Sequence, residues 1–437
     1  MTKLTLSAAA LAALAATSLA AQAPPPQQTW IHAGRLIDKP GKPPRGPSTI
    51  VVQDGRIVSV GDGIAAPDGS ANVRVVSLLD KTVLPGLIDS HVHLTSDTGG
   101  IESQLEEVTL SPAAQAFNAE ANGMKTLRAG FTTVRNLGDT DGATLALRDA
   151  IAAGKVNGPR IVDAGNSISG SAGHMDSSLG FRDELRPMFA SAGNTCNGAD
   201  DCRRAVRLQI ARGADVIKFA STGGVNSRIG AGLGRQMFDD EARAIVETAH
   251  MFGKKVAVHA HGADGIALAL DAGADSIEHG TILTDAAIAA WGRHKAAYYV
   301  PTLSTVNGYK ERLAANANAY APDVLEKIKW RISITGQALR TLVPKGVRIA
   351  FGTDAGVSKH GRNADEFELM VANGMTPVAA LQAATVNAAD LLGLQDEIGT
   401  IEPGKSADII AVAGDPLNDV TVLKRVDFVM ARGRVLD

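Results

Sequence analysis

Four histidines, one lysine and one aspartate stand at the ends of five apolar, β-prone segments. They are His91 and His93 in LPGLIDSHVHL, Lys218 in ADVIKFA, His259 in KKVAVHAHG, His279 in SIEHG and Asp354 in RIAFGTDAG. Imidazole, carboxylate and amine-derived groups of this kind suit one or two borderline divalent cations, zinc first. Any one of them alone would be unremarkable. Five separate strand ends that each carry a metal-competent residue point to a metal-dependent hydrolase.

His91 and His93 are two residues apart, so on a strand both imidazoles lie on one face. Two polar strand-end histidines without a metal would read the same way. Asp89 shares that face and can orient a ligand histidine. Lys218 sits in an otherwise apolar strand, and a buried lysine is costly unless paired or neutralised. An internal salt bridge is one reading. Carboxylation by CO2 is the other, giving a carbamate that bridges two cations, and spacing leaves both open. His259 and His261 repeat the H-x-H pattern. His259 lies deeper and is read as the ligand, with His261 at the rim against substrate, though the order can be reversed. Asp354 stands at a strand tip where a carboxylate reaches both metal and substrate.

Other loops offer pocket residues. His174, in the Gly/Ser-rich SGSAGHMDS, is a candidate for contact with the developing oxyanion, against the alternative of a surface histidine. Ser221, Gly223, Gly224 and Val225 follow the lysine strand and offer backbone N–H groups at close approach. Arg228 suits a substrate carboxylate. Asn307 and Tyr309 follow a later strand and can line the pocket. His360 reads as a solvated loop residue. His250 and His294 lie on helical stretches as surface or packing residues.

These residues need a scaffold that brings strand ends together. The chain has 437 residues, enough for a barrel of about 250 plus a smaller unit. Hydrophobic residues make up 45% and charged residues 20%, as in a soluble globular protein, and the net charge of −3 gives no reason to expect nucleic acid or an anionic membrane. Residues 1–23 have one lysine, an Ala/Leu-rich core and an Ala21-Gln22-Ala23 ending, the pattern of a cleaved secretory signal peptide. An uncleaved anchor is the competing reading. Export to the periplasm or outside the cell is expected. Cys196 and Cys202 would then close a local disulfide.

Eight β-prone runs alternate with helical ones, from TVLPGLIDSHVHL to VRIAFGTDAG. They include helical stretches at DDEARAIVETAHMFG and from Asp323 to Leu342, and a helix opened by Ser111-Pro112. This predicts an α/β fold: a (β/α)8 TIM barrel over 85–392, with a small β-sandwich built from both chain ends, 24–84 and 393–437. Asp54-Gly55 marks a hairpin turn within that smaller unit.

With these motifs assembled, the chain resembles the amidohydrolase superfamily over nearly its whole mature length. LPGLIDSHVHL, VIKFAS, VHAHG, SIEHG, GTDAG and the C-terminal IEPGKSADIIAVAGDPLNDV carry the resemblance. It is nearest to the imidazolonepropionase-like branch that holds Xaa-Pro and other dipeptidases and ochratoxin-hydrolysing amidases. The resemblance implies two zinc ions bridged by carboxylated Lys218. His91, His93 and Asp354 would hold the more buried ion, and His259 and His279 the other. It implies a homo-oligomer, often an octamer, and a small amide or peptide substrate that releases a C-terminal amino acid, ochratoxin A among them. A zinc-activated hydroxide would attack the amide while Asp354 carries the proton, with His174 or His261 near the oxyanion. Lactones, cyclic amides and phosphotriesters are rival substrates for one such centre. A periplasmic zinc-binding protein without turnover is the non-enzymatic rival.

Overall fold

The computed structural model describes residues 27–436 apart from 68, 70–71, 139–140 and 229–231. The signal-peptide reading lies outside the described residues. Four strands open the chain: β1 Gln28–Leu36, β2 Ser48–Gln53, β3 Arg56–Asp62 and β4 Val73–Pro85. The β2–β3 hairpin pairs Gln53 with Arg56 across Asp54 and Gly55, both at positive φ, as the sequence predicts.

Eight short strands then alternate with helices: β5 Leu87–Val92, β6 Phe131–Asn136, β7 Arg160–Asp163, β8 Val216–Ala220, β9 Lys255–Ala260, β10 Ser276–His279, β11 Tyr298–Val300 and β12 Arg348–Ile349. All pair in parallel, in two sheets ordered β5-β6-β7 and β12-β11-β10-β9-β8. Single parallel bridges, Val92 with Ala355 and Ile168 with Phe219, link the ends of these sheets. The arrangement is a TIM-barrel-like α/β fold, and its strands read as continuous apolar runs because both faces are covered. VIKFA is buried at every position. Phe131, Phe351 and Phe367 stack in the core with ring centroids 5.4 and 4.5 Å apart.

The chain closes with β13 Ile409–Val412, β14 Val426–Ala431 and β15 Arg434–Val435. β13 pairs with β4, so both chain ends share one seven-stranded sheet, β15-β14-β13-β4-β1-β2-β3. The two ends meet as expected, but their strands hydrogen-bond as one sheet instead of two facing sheets.

Ser111 caps helix Pro112–Arg128 by accepting from Ala114 N at 3.2 Å. The helical stretch expected from Asp323 to Leu342 is divided into Pro322–Ser333 and Gln337–Leu342. Gly336 breaks it at φ 77°, in the left-handed region, with the Asn373 side chain pressed against it. Cys196 and Cys202 are disulfide-bonded.

Candidate metal centre

The site gathers at the C-terminal ends of the parallel strands. His91 and His93 project to the same side, with their Nε2 atoms 3.3 Å apart. Asp354, just beyond β12, brings Oδ1 to 3.3 Å from His93 Nε2 and 3.5 Å from His91 Nε2. Behind His91, its Nδ1 donates to Glu278 Oε2 at 2.9 Å. Glu278 also accepts from Arg135 Nη2 at 2.9 Å and Ser276 Oγ at 2.5 Å, all buried. This fixes the His91 tautomer and leaves Nε2 facing the cavity.

Among the described residues, Asp89 hydrogen-bonds to no imidazole. Its Oδ1 accepts from the His91 and Thr353 backbone N–H groups, and its Oδ2 from Thr353 Oγ1 and Asn363 Nδ2. Its role is to tie the segment before Asp354 to the β5 strand.

A second group comprises His259, His261 and His279, whose donor atoms all lie within 4.8 Å of one another. His279 Nδ1 is bonded to Thr302 Oγ1 at 2.7 Å and His261 Nδ1 to Thr281 Oγ1 at 2.8 Å, so both rings turn Nε2 inward. His259 Nε2 lies 3.3 Å from the Gly223 carbonyl. His261 packs nearly as closely on His279 as His259 does, with ring centroids 4.9 and 4.6 Å apart. His279, Thr302 and Asp354 all have positive φ, at 70°, 48° and 56°. Non-glycine residues held there are strained by order 1–3 kcal/mol each, and such strain concentrates at functional sites.

Lys218 stands between the two groups, fully buried, and its Nζ has no hydrogen-bond partner. Burial lowers its pKa to about 8, against the pull of Glu278 and Asp354. Burial, with Lys218, also lowers His91 to about 4, and burial lowers His259, His261 and His279 well below the usual imidazole range. Neutral rings present lone pairs. Burial would raise Asp354, but His91, His93 and Lys218 outweigh it and hold the carboxylate ionised at about 2. Two convergent three-residue groups around an orphaned amine fit a pair of divalent cations.

These groups line an inner cavity of about 210 Å³ together with His174, Met175, Val225, Asn226, Tyr309 and Arg331. An outer cavity of about 800 Å³ opens from it and shares His93, His174, Met175 and Asn226. The His174 ring lies 4.1 Å from that of His259, with Nδ1 unpartnered, and burial lowers its pKa to about 3. The structure thus brings His174 inside the site, not to the surface.

Some expected substrate contacts point elsewhere. Ser221 Oγ donates to the His259 and Gly265 carbonyls. The N–H groups of Ser221, Gly223 and Gly224 are already committed to His259 O, Gly234 O and Ser227 Oγ. The tight packing of this loop consumes the donors that a substrate would need. Val225 and Tyr309 do face the inner cavity, whereas exposed Arg228 borders only the outer one. Asn307 faces a separate cleft with Glu311 and Arg362. His360 is not a solvated loop residue: it is buried, with Nε2 3.0 Å from His93 O and Nδ1 3.2 Å from Thr126 Oγ1. His250 and His294 pair with Asp275 and Asp271 at the surface, as expected.

Sequence reasoning missed Glu278, Arg135 and Arg331. A glutamate within SIEH and an arginine within FTTVRN were visible signals, each a charge inside a strand. Arg331, on an ordinary amphipathic helix, gave none.

This geometry defines a member of the amidohydrolase family: the family model, described as "Amidohydrolase family", matches residues 82–436, and the chain belongs to it. Among individual proteins, it is 32% identical to ochratoxinase from Aspergillus niger over 410 residues, covering 91% of this chain and 83% of that protein. The crystal structure of a Xaa-Pro dipeptidase with bound methionine in the active site superposes with a TM-score of 0.87 at 38% identity, covering 94% of this chain and all of that one. A prolidase complexed with N-methylphosphonate-L-proline gives a TM-score of 0.83 at 28% identity, covering 94% and 99%. The protein is a hydrolase acting on amide bonds.

Proposed function

We propose that this chain hydrolyses the amide bond of N-acyl amino acids or dipeptides, and so releases the C-terminal amino acid, on two zinc ions bridged by carboxylated Lys218. The carrying observation is the buried Lys218 amine, unpartnered among the described residues, between two three-residue groups. Of the second group, His259 and His279 are the ligands in this reading, and His261 faces the substrate. The parallel strands and their two bridges support a barrel closed over 85–392. The leader-like residues 1–23 support export, and family likeness supports a homo-oligomer.

Bound cations would supply Lewis acidity, which acidifies a water and polarises a carbonyl. The chain's own residues do the rest. Asp354 is ionised and reaches the centre of the first group, so it accepts the proton released by the attacking water and returns it to the leaving nitrogen. His174, kept neutral by burial, can donate to the oxyanion that develops at the carbonyl. Burial of the ligand groups excludes competing water, and the outer cavity, of a size typical for drug-sized ligands, receives the acyl group.

The activities named for two similar proteins support this choice of bond. One neighbour is a Xaa-Pro dipeptidase with methionine in its active site, and a relative is ochratoxinase. The test is a panel of N-acyl amino acids and dipeptides, ochratoxin A included, beside lactones. Release of free amino acid, abolished by Asp354→Asn, is the expected result. Lactone hydrolysis alone would contradict the reading.

A further inference from the structure

Among the described residues, Arg331 is the one Lys or Arg side chain besides Lys218 that lines the inner cavity. It sits on helix Pro322–Ser333 and is 3% exposed. Its only hydrogen bond among the described residues is a long one, from Nη2 to the Thr302 carbonyl at 3.4 Å. No carboxylate among the described residues lies within ion-pair distance of it. Glu366, a buried acid, has both oxygens occupied by the backbone N–H groups of Leu303 and Ser304, at 2.9 and 2.6 Å. A guanidinium carries five donors, and burying one without an anion is expensive.

The location is specific. Thr302, which accepts from Arg331, also holds His279. The guanidinium therefore borders the second ligand group, and its charge helps to hold His261 unprotonated after the larger effect of burial. Lys327, four residues earlier on the same helix face, is occupied with the Gly224 and Ser227 carbonyls and does not compete for a ligand. Arg228, by contrast, is exposed at the outer cavity and screened by water.

We propose that Arg331 is the receptor for the free α-carboxylate of the amino acid that leaves, held at the inner wall with the acyl group directed outward. This rests on the substrate class proposed above. It makes a C-terminal carboxylate, rather than the acyl portion, the feature that every good substrate shares. A planar fork suits a carboxylate bidentately, where a lysine would not.

The test uses zinc-loaded full-length protein, Arg331→Met and Arg331→Lys. Binding of N-acetyl-L-phenylalanine and of its uncharged C-terminal amide is measured by calorimetry, beside release of amino acid from the panel. Wild type is expected to favour the carboxylate by about 10- to 100-fold, Arg331→Met to lose that ratio, and Arg331→Lys to keep part of it. Circular dichroism and zinc content of each variant separate this from misfolding. If Arg331→Met discriminates as wild type does, or if wild type shows no preference or binds neither compound, the assignment is overturned. Amino-acid release with an unchanged ratio would remove Arg331 and leave the substrate class standing. A ratio that depends on Arg331 without any amide turnover would do the reverse.

Discussion

Glu278 and His91 are joined at the floor of the site: the Glu278 carboxylate accepts from His91 Nδ1 at 2.9 Å while its other oxygen holds buried Arg135. One carboxylate thus aims a candidate ligand and neutralises a cation that has no exit to water. Arg135 in turn donates through Nε to the Ser90 carbonyl at 2.6 Å, so three strands are locked at the level of the ligands. Glu278→Gln keeps the shape and removes the charge. We expect metal affinity to fall about 10- to 100-fold, as for other partners of ligating histidines. The stranded Arg135 should also cost about 3–5 kcal/mol of stability. Chelator competition and thermal unfolding measure the two effects, and unchanged zinc affinity would refute the aiming role.

Gly224 makes room for His174. A Cβ on Gly224 would lie 2.2–2.4 Å from three atoms of that imidazole. Gly224→Ala should therefore push the ring from its place beside His259 without touching the ligand groups. The expected outcome is a loss of kcat of at least about 10-fold, the lower range for one general acid–base or oxyanion contact, with zinc content preserved. An unimpaired kcat would mean that His174 takes no part in the chemistry.

The site was largely legible in the sequence because its ligands fall at strand ends, where period-two alternation and short flanking turns locate them. Ser111-Pro112 and Asp54-Gly55 were equally legible, since capping and turn chemistry are local. What escaped depends on contacts between distant segments. Arg331 reaches the cavity only because its helix folds back over the β11 loop. His360 is buried only because it closes over His93. The commitment of the Gly223 amide depends on a hairpin-like return of residues 234–236 that no local pattern announces.

Glu366 makes stability depend on pH. Burial raises its pKa from 4.5 to about 7, against the backbone donors of Leu303 and Ser304. Between those values the folded protein holds a proton that the unfolded chain has released. This contribution favours folding at acid pH and is lost as pH rises through about 7, at a cost of roughly 3 kcal/mol. Glu366→Gln removes the titration. The difference in melting temperature, variant minus wild type, should be more positive at about pH 8 than at about pH 5. An equal difference at both pH values would contradict the buried, proton-holding carboxyl.

The central claim is a two-metal amide hydrolase whose bridge is Lys218. Its most direct test is amino-acid release during stepwise addition of zinc to chelator-stripped protein with bicarbonate present, beside Lys218→Ala. Activity that saturates at two zinc ions per chain, and a variant that binds less metal and releases nothing, is the result this account requires. Full activity without added metal, or in Lys218→Ala, would contradict it.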